Sequence, residues 1–337
     1  MKIDLKPGSL YDICGIGSLL VDLTASVNYD FLKRFSLSRG TMTFVDDEIS
    51  AGILDALSDL SIEATAGGSS ANTLAGAAML GCRAALMGKI GRDKYGNLYA
   101  EETGSAGVSA MFAEDDGLTG HAITLITPDL ERTFAVNLGA ALNFDKSNVN
   151  TEAVEGSSII HIEGFLLEKD NLLAACEKAF DSARDNNTAV SIDLSDPALI
   201  ERIKPVFDRI IDEYVSIIFA NETEAEVYTG LKPAKAVLAL AERCKIAVVK
   251  TGAEGSLISD GNSVIQIKPF KTELVNTNGA GDAYAAGFLS GLAKGFSVER
   301  AGNLGSYIAS LAVSMSGARI REKIDIESAG AKNPDSI

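Results

Sequence analysis

The chain has 337 residues, enough for one large α/β domain with insertions or for two domains. Apolar residues make up 46% and charged ones 23%, which fits a globular protein with a full core, and the net charge of −16 argues against nucleic acid as a partner while leaving room for a local small-anion pocket. Four scattered cysteines (Cys14, Cys82, Cys176, Cys244) and two histidines (His121, His161) do not make a zinc site or a disulfide framework, so buried free thiols in a reducing compartment are expected.

The opening MKIDLKPGSLYDICGIG lacks the basic-then-apolar shape of a signal peptide, and no apolar run is long enough to span a bilayer; a cytoplasmic protein without membrane contact is expected. Residues 11–16 (YDICGI) read as a strand. SIEATAGGSSANTLAGAAMLG passes from strand through a Gly-rich turn into a helix, RAALMGKIG is a strand, and KYGNLYAEETGSAG is a helix ending in glycine. SSIIHIEG, TAVSIDL, SIIFAN and IAVVKTG are short Val/Ile-rich strands, with helical segments at 169–185, 197–213, 221–229 and 233–243. Strands alternating with helices predict a mostly parallel central sheet covered on both faces, a three-layer αβα sandwich. LVDLTASV with TMTFV, and HAITLITPDLERTFAVNLG at 121–139, instead alternate apolar and polar residues, as in a small antiparallel sheet with one exposed face. These segments, about 17–45 and 119–139, are expected to form a lid inserted into a single domain spanning 1–337. Its edges leave open pairing with a second copy, a homodimer, or edges that stay short and covered. The tail AGAKNPDSI reads as loose.

Familiar phosphate motifs fail. Gly76 and Gly81 have Walker A spacing, but Cys82 and Arg83 follow in place of Lys and Ser/Thr. The G-x-G pairs at Gly15–Gly17 and Gly279–Gly281 carry Leu20 and Tyr284 where a dinucleotide fingerprint has its third glycine, which counts against a nicotinamide-dependent oxidoreductase. No G-x-S-x-G is present. In VNTNGAGDAYAAGF (275–288), however, Gly279, Ala280 and Gly281 lead into a helix beginning near Asp282. Several backbone N–H groups at a helix N-terminus make an anion hole. A carboxylate beside it suits phosphoryl transfer to an alcohol, Asp282 taking the proton while the amides hold charge on the transferring group. A turn followed by Asp282 as a helix N-cap is the alternative.

Four segments resemble the ribokinase / phosphofructokinase-B family, in that family's order: AGGSSANTLAGAAMLG, FANETEAEVYTG, VVKTGAEGSL and NTNGAGDAYAAGF. GIGSLLVDL, YDFLKRFSL, ERTFAVNLGAA and HIEGFLL are similar to the adenosine kinase subgroup, so the likeness runs from Tyr11 to about Ile320. It implies a ribokinase-like αβα core with a β lid and an ATP- and Mg²⁺-dependent kinase of a nucleoside or sugar. Asp282 becomes the general base, and Gly279, Ala280 and Gly281 the anion hole. Asp22 becomes the acceptor of sugar hydroxyls, for which a carboxylate suits two vicinal groups. Gly67, Gly68, Ser69 and Asn72 become substrate contacts, or else a strand-to-helix turn. Arg132 is implied to cover the phosphates when the lid shuts, although it also reads as a surface arginine beside Glu131. Phe165 is implied to stack on a purine, although it also reads as core. Asn221 and Glu224, three apart on one helix face, are implied to organise water-bound Mg²⁺ and phosphate, or they simply start a solvated helix. Thr251 and Gly255 fall at nucleotide contacts, or in a β-turn.

Two positions depart from the pattern. Asn276 stands where the family usually has Asp, which loses a charge bearing on a monovalent-cation site, and Ser18 stands where adenosine kinases usually have Asn. The sequence therefore predicts a small-molecule kinase with adenosine as first candidate acceptor. Ribose, fructose or ketodeoxygluconate kinases on the same fold, and a non-catalytic nucleoside- or sugar-binding protein, are the alternatives.

Overall fold

The computed structural model describes residues 5–332 and 334, apart from Ser316, Ala318 and Arg321. In chain order the strands are β1 (Tyr11–Ile16), β2 (Leu20–Ser26), β3 (Met42–Phe44), β4 (Glu63–Ala66), β5 (Ala84–Gly91), β6 (Val108–Asp115), β7 (Gly120–Ile126), β8 (Arg132–Asn137), β9 (Ser157–Glu163), β10 (Ala189–Asp193), β11 (Val215–Asn221), β12 (Ile246–Lys250), β13 (Ser256–Ser259) and β14 (Val264–Ile267). Among the described residues, nine of them form one sheet in the order β14-β13-β12-β11-β10-β9-β1-β5-β6. Every pair from β12 to β6 is parallel; only the β12–β13–β14 meander at one edge is antiparallel.

Successive strand residues point to opposite faces, and here both faces are apolar. Ile13, Ile159, Ile217 and Val248 enter one buried cluster with the helices Ser69–Met79, Ala280–Ala293 and Val298–Val313. Cys14, Ile160, Ile218 and Val249 enter the other, with the helices Asp170–Asp185, Pro197–Tyr214 and Pro233–Ala241. The three layers are as the alternation predicts. On the first face small residues bring helices unusually close. A Cβ on Gly76 would stand 2.8 Å from Ala286 Cβ, and one on Gly287 would stand 2.8 Å from Gly305 Cα. That closeness carries the first turns of Ser69–Met79 and Ala280–Ala293 to one another at the same end of the sheet.

The smaller sheet corrects the expectation in two ways. Its order is β3-β8-β7-β2-β4, and it is mixed rather than antiparallel: β2–β4 and β7–β8 are antiparallel, but β2–β7 and β3–β8 are parallel. The strand of SIEATA, read as leading into the core, is β4 and pairs with β2 outside the expected lid limits. Short, polar and half-exposed, it suits an open sheet and not one buried on both faces. The helix Asp47–Ala56 also joins this sheet, with Asn137 donating to Val45 and Asp47. The tail expected to be loose begins inside a short helix, Ile326–Gly330, with Ala329 buried; Asn333 and Asp335–Ile337 lie outside the described residues. The cysteines are free, Cys14, Cys82 and Cys176 buried and Cys244 partly so. Among the described residues, no helix is long and apolar enough to cross a membrane.

Candidate active site

Four adjacent parallel strands each end on a polar residue: Glu163 on β9, Asp193 on β10, Asn221 on β11 and Lys250 on β12. Asp193 lies opposite Glu163, and Asn221 opposite Lys250. Ligands of open α/β sheets bind beyond the carboxyl ends of the strands, so these residues mark the working edge. Glu163 is buried and accepts from the Ser18 and Ser70 N–H groups, both at 2.9 Å. Burial raises its pKa against those bonds. It thus ties the turn after β1 to the start of the helix Ser69–Met79.

Above this edge sits the N-terminus of the helix Ala280–Ala293. Gly279 is its N-cap, in the left-handed region at φ 75°, where a Cβ would be strained. Ala280 N–H turns back to Thr277 O at 3.3 Å, so that amide, expected in the anion hole, is taken. Among the described residues the N–H groups of Gly281 and Asp282 meet no acceptor, as first-turn donors do. Asp282 is not the cap. Its Oδ1 accepts from Ser69 Oγ at 2.7 Å and its Oδ2 from Asn72 Nδ2 at 2.9 Å. Burial pushes its pKa up to about 7; the Asn72 and Ser69 bonds oppose this, the Asp193 charge adds to it and Lys250 opposes it.

Between the lid sheet and the core lies a cavity of about 840 Å³. Its lid wall is the inward face of the small sheet, including Leu20, Asp22, Thr24, Phe134 and Val136. Phe165, 38% exposed and therefore not core, lines the cavity, as do Leu138, Leu142, Glu168 and Lys169. Ser18, Asp22, Ser69 and Asn278 also line it; Asp282 does not line it itself but accepts from the lining Ser69. Burial raises the Asp22 pKa to about 6, against the attraction of Arg319.

Gly67 and Gly68 serve the protein's own packing. A Cβ on Gly67 would lie 2.7 Å from Asp22 Cγ, and Gly68, at φ 94°, lies against Ser18 O. Asn72, expected to offer donor and acceptor to a sugar, spends both: Nδ2 on Asp282, and Oδ1 on Arg319 Nε at 2.8 Å. Arg319 also lines the cavity and reaches Gly67 O at 3.3 Å. Arg132, exposed at the start of β8, donates to Asn276 Oδ1 at 3.3 Å, linking lid to anion loop.

Asn221 and Glu224 form a reciprocal capping box at the helix Glu222–Thr229. The Asn221 N–H and Nδ2 donate to Glu224, and the Glu224 N–H donates to Asn221 Oδ1. Glu222 and Thr223 at the helix start are exposed, but Glu224 is only 3% exposed, and burial with the Asp193 charge pushes its pKa up to about 7. Thr251 and Gly255 form a turn closed by Thr251 N–H to Gly255 O, with Gly255 at φ 92° against Ile267 O. The structure thus sets Asp22, Ser69 and Arg132 in the wall of one cleft, with Asn72 and Asp282 bonded behind Ser69, Asn221 at the end of β11 and Glu224 in the helix after it. Asp193, Glu163 and Lys250 were legible as polar residues closing Val/Ile strands but were not singled out; nothing in the sequence marks Arg319.

A parallel αβα sheet, a lidded cleft at its carboxyl edge, and a carboxylate beside free helix-start amides define a phosphotransferase. Residues 55–324 match the pfkB family carbohydrate kinases, and the chain belongs to that family. It is 31% identical over 321 residues to adenosine kinase of Saccharomyces cerevisiae, covering 88% of this chain and 93% of that one. Two crystal structures share its fold. Adenosine kinase from Sinorhizobium meliloti has a TM-score of 0.83 at 30% identity, and a probable sugar kinase from Rhizobium etli CFN 42 has 0.84 at 28%. Each covers 95% of this chain and 98% of its own. The protein is an enzyme that phosphorylates a hydroxyl of a nucleoside or sugar.

Proposed function

We propose that the protein transfers the γ-phosphoryl group of ATP to the primary hydroxyl of a nucleoside, adenosine first, acting as one cytoplasmic kinase domain of residues 1–337. The observation that carries this is the Asp282 carboxylate, bonded by the cavity-lining Ser69 and standing on the helix start whose Gly281 and Asp282 amides are unbonded. The lining offers a nucleoside both kinds of surface, the Asp22 carboxylate for ribose hydroxyls and the Phe165 ring for a flat base. Asp282 takes the hydroxyl proton as the new O–P bond forms. Ser69 and Asn72 fix the orientation of its carboxylate, so each is a positioning residue. The amides of Gly281 and Asp282 stabilise charge on the transferring group. Arg132 draws the lid onto the phosphates and excludes water, which would otherwise accept the phosphoryl group. Thr251 and Gly255 shape the nucleotide side.

Mg²⁺ fits the residues present. Among the described residues no three carboxylates stand close enough to hold a metal ion directly, but Glu224 and Asp193 feel one another's charge, and hard oxygen donors beside phosphate suit an ion that keeps most of its water. Glu224 would hold it through water, and the ion would neutralise phosphate charge. A second reading, an acidic sugar such as ketodeoxygluconate, draws on Arg319, a cation lining the acceptor cavity near Asp22. ADP release from Mg²⁺-ATP, measured with adenosine, other nucleosides, ribose, fructose 6-phosphate and ketodeoxygluconate, tests both. Turnover of a sugar without turnover of adenosine overturns the nucleoside assignment.

A further inference from the structure

A lysine ending a buried strand is costly to bury without a reason, because its charge must be desolvated. Lys250 ends β12, and its side chain is 16% exposed. Nζ donates to Asp193 Oδ2 at 2.7 Å, its one hydrogen-bond partner among the described residues. An ammonium has three donors, so two are uncommitted. Burial works to lower the Lys250 pKa, but the charges of Asp193, Glu224 and Asp282 outweigh it and the group stays a cation.

The direction of the ammonium matters most. A Cβ built on Gly281 would stand 3.0 Å from Nζ, with the ethylene stem of Lys250 behind it. The ammonium therefore lies against the loop whose Gly281 and Asp282 amides are unbonded. Any side chain at 281 would come between them. A lysine serving only to neutralise Asp193 has no need of this approach, and a glycine serving only the turn has no need of a cation behind it.

From this we infer that Lys250 is the side-chain member of the anion hole, touching the transferring phosphoryl group from the Gly281 side while Asp193 holds its ammonium in place. The inference rests on the reading that the 279–281 loop holds that group. In the step itself the acceptor proton passes to Asp282 and the acceptor oxygen bonds to phosphorus. The bond from phosphorus to the bridging oxygen breaks, and its electron pair leaves on ADP. Lys250 keeps its proton and offsets charge on the non-bridging oxygens.

The test uses Lys250→Met, together with the double variant Asp193→Asn/Lys250→Met, which leaves no unpaired carboxylate at 193 if the single variant misfolds. Calorimetric affinities for Mg²⁺-AMP-PNP and Mg²⁺-ADP report the terminal phosphate without turnover. The AMP-PNP preference over ADP is expected to fall by about tenfold or more, the scale of one charge-assisted hydrogen bond. Turnover is expected to fall by about 10²–10³-fold, the scale of a lost anion-hole donor, with acceptor KM nearly constant. An unchanged preference in the folded double variant overturns the inference, even if turnover drops. If the wild type produces no ADP with any acceptor but the preference still falls, the phosphate contact stands and the kinase reading fails.

Discussion

Asp282 links the chemistry of this protein to its stability. Its carboxyl pKa rises from the usual 3.8 to about 7, mainly through burial. Between those values the folded chain holds a proton that the unfolded chain has lost, so stability is present below 3.8 and declines as pH climbs through 7. The rise spans roughly three pH units, and at ~1.4 kcal/mol each the cost above pH 7 is about 4 kcal/mol, a ceiling because the residue is only partly buried. Asp282→Asn removes the charge and keeps an oxygen for the Ser69 hydroxyl, although its amide faces Asn72 Nδ2 with donor against donor. Unliganded Asp282→Asn is therefore expected to gain several degrees of Tm over wild type at pH 8 and little at pH 4, near the unfolded carboxyl pKa, by scanning calorimetry. The same variant is expected to lose about 10²–10⁴-fold in turnover, the scale of a general base. Wild-type kcat/KM is expected to rise with pH to a plateau above about 7, as the base ionises. A Tm difference equal at both pH values, or variant turnover within tenfold of wild type, refutes the assignment.

Asn72→Ala removes a bond that favours ionised Asp282, so the acid limb of kcat/KM is expected to move to higher pH, in addition to a loss of rate; a limb that stays put shows that Asn72 only packs. Gly67→Ala drives a methyl into the Asp22 carboxylate, and acceptor KM is expected to rise by about tenfold or more with ATP affinity retained, read by steady-state kinetics and calorimetry. Phe165→Ala is expected to weaken a purine nucleoside by roughly 2–10-fold, the scale of an aromatic stack, while leaving ribose unaffected; equal losses exclude stacking. Arg132→Met, at an exposed position, is expected to lower kcat/KM for ATP with Tm nearly constant.

The layered core was legible because buried parallel strands announce themselves. SSIIHIE, AVSID, VSIIFAN and IAVVK are apolar on both faces, a local property of the chain. The mixed lid sheet was not legible, because the direction in which β2 meets β7 depends on the path between them and not on either strand's pattern. At the site, NGAGD singled out Asp282 as the candidate base, while the alternative reading as an N-cap and the expected Asn72–sugar contact both gave way to bonds across helices 210 or more residues apart in sequence. Those bonds exist because Gly76 and Ala286 let two helices nearly touch, and the sequence records the small residues without saying what they face. Local periodicity and the glycine-flanked aspartate thus determined the architecture and the reaction type. Only the folded chain brought Lys250 and Asp193 to Asp282 and set Arg319 in the cavity wall, because the field a buried carboxylate feels is set by neighbours distant along the chain.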